Sequence, residues 1–124
     1  MDRTLIVAAS ILGFLGVALG AFGAHALRSS LEPRDLEIFE TGVRYHMIHA
    51  VALIGAAWVA SRWPGTAATL AGWLFIGGTV VFSGSLYLLV LTGPRWLGAV
   101  TPLGGLALLG GWLSLGWAAL RGSA

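Results

Sequence analysis

The chain has no cysteine and no lysine, and only 10% of its 124 residues are charged. The missing cysteine excludes disulfides, thiol catalysis and thiolate metal sites. The missing lysine leaves seven arginines as the cationic side chains, too few and too scattered for the basic stripe that binds nucleic acid. A soluble domain carries about 25% charged residues, whereas this chain is 57% hydrophobic with a mean hydropathy of +0.88. That is the composition of a membrane protein, and the lipid bilayer is its first partner. Also lacking are a Ser/His/Asp order, an HExxH pair, a phosphate-binding glycine loop and a carboxylate pair within the hydrocarbon-crossing part of any span. The sequence therefore predicts no catalytic residue and no enzyme.

What is present is a succession of apolar runs. Residues 4–27, 33–61, 66–91 and 98–120 each exceed the roughly 20 residues that cross a hydrocarbon core. Polar or Gly/Pro-rich turns at 28–33, 62–65 and 92–97 separate them, with Trp58, Trp63, Trp73 and Trp96 placed as an interfacial aromatic belt. Ala24-His25-Ala26 has the form of a signal-peptide cleavage site, but the apolar stretch before it is longer than a usual signal core, so it reads as a span. The expected fold is all-α: one domain over residues 1–124, a polytopic four-transmembrane-helix bundle with both termini on one side.

The second run is too long for the membrane. Nearly 30 residues at 1.5 Å each make about 43 Å, against a hydrocarbon thickness of about 30 Å. Leu36, Phe39 and Val43 share a face that Arg34, Asp35, Glu37 and Glu40 avoid, so the start of helix two is an amphipathic extension at the headgroup boundary. Glu40 and Arg44 stand four apart in the order that favours pairing. Nineteen glycines in so apolar a chain point to close helix packing. Gly13, Gly16, Gly20 and Gly23 fall on one face of helix one and form the predicted packing stripe. Pro102 is expected in the first turn of helix four, where a missing N–H costs least.

Polar chemistry is concentrated in residues 20–49, which hold all three histidines, three of the arginines and four of the five acidic residues. His46 and His49 share a helical face, Tyr45 lies one turn before His49, and the short connection brings His25 toward helix two. Together with Arg44, these residues are the candidate ligand or ion site. Imidazoles there could ligate a transition metal or haem iron, relay protons, or bond a quinone carbonyl. No particular metal or cofactor is singled out. The competing reading is structural: His25 caps its helix, His49 bonds a facing carbonyl or hydroxyl, and Arg44 snorkels to the interface.

The segments GAFGAHAL at 20–27, LEPRDLEIFETG at 31–42 and VRYHMIHA at 43–50 resemble the signature of domain-of-unknown-function family 423, a family of small four-helix membrane proteins. The resemblance marks Gly20, Gly23, His25, Phe39, Arg44, Tyr45 and His49 as signature positions. The chain departs from it at His46, where the family usually has glutamine. It implies a polytopic plasma-membrane protein without an assigned reaction. The leading expectation is a structural or accessory component that packs with itself, as a homo-oligomer, or with a larger membrane complex. The alternative is a protein that binds or transports a small ligand, ion or cofactor at the His25/Tyr45/His46/His49 cluster. The arginines divide almost evenly between the two sides of a four-span chain, and both termini are placed in the cytoplasm by a narrow margin.

Overall fold

A computed structural model describes residues 1–122 as helices joined by short turns. Helix α1 (Asp2–Phe22) continues into a π-helical turn, Gly23–Leu27; α2 is Pro33–Arg62, α3 is Thr66–Thr92 and α4 is Leu97–Arg121. All four are long and apolar enough to cross a membrane. The protein is an all-α, four-span membrane protein, and the helix ends fall within two residues of the run limits read from the sequence.

Local chemistry sets those ends. Pro33 opens α2, where its missing N–H would have had no intrahelical acceptor. Gly93 ends α3 at φ +95°, a left-handed conformation that side chains disfavour, and its amide closes the helix onto the Leu89 carbonyl at 2.9 Å. Pro102 differs from expectation. The helix begins at Leu97, which puts the proline in the second turn and leaves the Gly98 carbonyl without its usual donor four residues on.

Successive helices are antiparallel and pack mainly on their chain neighbours. Glycine sets the spacing. On α1, Gly16 faces Met47 and Gly20 faces Val43, and at the start of the π-helical turn Gly23 lies under the Phe39 ring. Gly13 meets nothing within 4 Å, so the inward stripe comprises Gly16, Gly20 and Gly23 only. The reason is angular: at 100° per residue Gly13 stands at the edge of the arc that the four glycines span, and α2 covers the other side. Between α3 and α4 the approach is closest at Gly104, where an added Cβ would run into the backbone of Phe82. Small residues let these backbones approach in a medium where lipid tails give helices no hydrophobic reason to associate.

The amphipathic start of α2 is as the pattern requires: Phe39 is buried, Leu36 and Val43 are half-buried, and Arg34, Glu37 and Glu40 are exposed. Asp35 is half-buried as well.

Candidate functional site

Midway along the bundle, α2 turns two imidazoles inward, and both are only 4% exposed. A buried polar group in a membrane protein must find partners among the helices. His46 has them on both sides. Its Nε2 lies 2.7 Å from the carbonyl oxygen of Leu12 on α1, and its Nδ1 lies 2.9 Å from the hydroxyl of Tyr87 on α3. A carbonyl only accepts, so Nε2 carries the hydrogen and Tyr87 donates to Nδ1.

His49 is arranged the other way round. Its Nδ1 is 2.7 Å from the Tyr45 carbonyl one turn back, and the indole Nε1–H of Trp112 on α4 donates to its Nε2 at 3.0 Å. Here Nδ1 carries the hydrogen and Nε2 accepts. The two neighbouring rings are thus held in opposite tautomers. Between them they tie α2 to α1, α3 and α4. Ser83 adds a second α3–α2 link by donating to the Gly42 carbonyl at 2.6 Å, and Ser85 and Thr101 bridge α3 to α4 at 2.5 Å.

Aromatic rings enclose this layer. The Phe75 ring sits 5.5 Å from His49 and 5.0 Å from Trp112, and Phe39 packs 5.1 Å from Tyr87. Among the described residues one buried hydroxyl is left over: Thr79 Oγ1, one turn before Ser83, has no hydrogen-bond partner.

Of the other predicted site residues, Tyr45 stays beside the layer and His25 and Arg44 lie outside it. Tyr45 is 40% exposed, its ring stacks 6.3 Å from that of His49 and 4.6 Å from that of Phe82, and its backbone carbonyl, not its hydroxyl, bonds His49. Arg44 is exposed and forms no ion pair with Glu40; among the described residues the one ion pair joins the Met1 amine to Asp2 at 3.8 Å. Arg44 and Glu40 instead line a recess of about 180 Å³ against Gly20, Gly23 and Ala24. His25 is exposed on the π-helical turn. Pairings such as Gly16 with Met47 and Gly20 with Val43 put His49 level with position 14 of α1. His25 lies eleven residues further on, about 16 Å along the axis. Among the described residues no group of three His, Cys, Asp or Glu side chains is placed to hold a metal ion.

The residues that sequence reasoning misses are the partners: the Leu12 carbonyl, Tyr87, Trp112 and Ser83. Tyr87 and Ser83 share a face of α3 four residues apart, a signal present in the sequence. Trp112 carries no such signal and reads as one more interfacial or lipid-facing tryptophan.

Comparison with known proteins bears on the whole chain. A family model described as "Protein of unknown function (DUF423)" matches residues 19–105. The UPF0382 membrane protein YwdK of Bacillus subtilis (strain 168) is 43% identical over 120 residues, covering 96% of this chain and 98% of its own length. The UPF0382 membrane protein SH2409 of Staphylococcus haemolyticus is 42% identical over 119 residues, 91% of this chain and 92% of its own. The UPF0382 inner membrane protein YgdD of Escherichia coli (strain K12) is 38% identical over 126 residues, 97% and 92% of the two chains. No solved structure matches.

Proposed function

This chain belongs to the DUF423 family, and from that premise we propose that it is a structural or accessory component of the membrane, without a reaction of its own. One observation carries the reading. Both ring nitrogens of His46 and of His49 are engaged by groups of the protein itself. Neither ring of this pair keeps a lone pair free for a metal or haem iron, or an N–H free for a quinone carbonyl.

The bundle packs with itself or with a larger membrane complex through its outward glycines. Gly77 and Gly84, seven apart on α3, meet nothing within 4 Å and give a further helix room to approach. We place the protein in the plasma membrane, the inner membrane where there are two, with both termini in the cytoplasm.

The test joins stability to composition. Purified wild-type protein is expected to carry no stoichiometric metal and no visible absorbance band, and His49→Ala is expected to lower its melting temperature in detergent. A metal or chromophore near one per chain that disappears in His49→Ala, with melting unchanged, would overturn the reading. Self-association is checked by sedimentation in detergent, where Gly77→Leu with Gly84→Leu should reduce the oligomer.

A further inference from the structure

On the face of the bundle that carries both chain ends, a cleft of about 560 Å³ opens between the α2–α3 turn and the end of α4. Arg62, Trp63, Thr66, Trp117 and Arg121 line it. Its side-chain charge is of one sign. The Arg62 guanidinium lies 5.4 Å from the centre of the Trp63 ring, and that of Arg121 lies 5.6 Å from the centre of Trp117. The indoles hold both cations at the cleft, and among the described residues no carboxylate pairs with either.

Helix α3 begins inside the same cleft without a side-chain cap. Its first backbone bond runs from the Thr69 amide to the Gly65 carbonyl, so the amides of Thr66, Ala67 and Ala68 have no intrahelical acceptor. The negative poles of the α2 and α4 C-termini work against this positive end. At about half a charge per pole, the three helix ends and two guanidiniums among the described residues still sum to about +1.5.

The cleft does not stop at the headgroup level. It shares Thr66, Ala67 and Trp117 with a groove of about 520 Å³ that runs between α3 and α4 past Leu70 and Leu113. A positive cleft at the interface thus opens directly into an apolar channel on the lipid-facing surface. We propose that together they form a binding site for an anionic phospholipid of the leaflet on the side of the termini. The phosphate sits between Arg62, Arg121 and the α3 amides, and one acyl chain lies along Leu70 and Leu113. Arginine suits the phosphate because its planar fork bonds two oxygens at once. This site is independent of the histidine layer.

The measurement is lipid retention by the full-length protein, followed by native mass spectrometry after exposure to equimolar phosphatidylglycerol and phosphatidylcholine. Wild type is expected to keep phosphatidylglycerol preferentially, and Arg62→Gln with Arg121→Gln to lose about fivefold of that preference per arginine. Arg95→Gln, on the opposite face, should change nothing. Equal retention of the two lipids by wild type overturns the proposal without recourse to any variant, as does an undiminished preference in the double variant. A separate arm adds inorganic phosphate to protein in phosphatidylcholine nanodiscs. A gain in melting temperature there equal to the gain with phosphatidylglycerol would assign the cleft to a soluble anion and overturn the lipid.

Discussion

His46 and His49 are three residues apart in one helix, yet each needs the opposite ring nitrogen to carry its hydrogen, because the partners offered differ. A carbonyl faces His46 Nε2 and an indole N–H faces His49 Nε2. Nitrogen NMR of the labelled protein should therefore show one ring of each tautomer, and a common tautomer would contradict the network. The same chemistry ranks substitutions. Glutamine also offers one donor and one acceptor, so His46→Gln should keep most of the stability, whereas His46→Leu leaves the Tyr87 hydroxyl without its acceptor and should cost about 1–2 kcal/mol in unfolding experiments. Thr79 runs the other way. Its buried hydroxyl has no partner, so Thr79→Val, which keeps the shape, is expected to be neutral or to stabilise by up to about 1 kcal/mol. That His46 and His49 face inward is legible from their spacing. Their partners are not, because the Leu12 carbonyl and Trp112 are fixed by which helix stands opposite at which height.

For the helices, the readable quantities are local ones. Run length places the spans, and Pro33, Gly65 and Gly93 punctuate them, since each acts within its own few residues. Glycine spacing says that a close contact exists on α1 but not how wide it is, and here the facing helix decides. Gly13 stands clear while Gly16 and Gly23 are covered. The π-helical turn is also invisible in the sequence. It buries Gly23 and Leu27, four residues apart, and leaves His25 outward, away from the layer its neighbours build. The closest approach of a glycine to a facing backbone lies in a pair that sequence periodicity does not rank, Gly104 against Phe82. Backbone cannot move aside as a methionine end can. Gly104→Ala should therefore destabilise by about 1–3 kcal/mol through overpacking, more than Gly20→Ala, whose added carbon would meet only a Val43 methyl at 3.3 Å. Thermal melts of the two variants in one detergent give the order, and the reverse order would reject this packing.

Over the whole molecule, the number of crossings decides which surfaces share a compartment. Four antiparallel spans put Asp2, Arg62 and Arg121 on one face and Arg34 and Arg95 on the other. The charge pattern barely distinguishes the faces, because arginines fall almost evenly on both and acidic residues contribute little to orientation. What is certain from the geometry is the opposition. Helix α2 strengthens it, for its first turns carry Arg34, Asp35, Glu37 and Glu40 outside the hydrocarbon, and no shift of register could draw all four into lipid at a bearable cost. Since the native chain has no cysteine, single cysteines report cleanly. A cysteine at position 2 and one at position 95 should react with a membrane-impermeant maleimide from opposite sides of sealed vesicles. With the termini in the cytoplasm, position 95 labels in right-side-out vesicles and position 2 only after inversion. The converse would reverse the orientation and keep the fold, while labelling of both from one side would require an even number of crossings between them, where the four-span arrangement has three, and would break it.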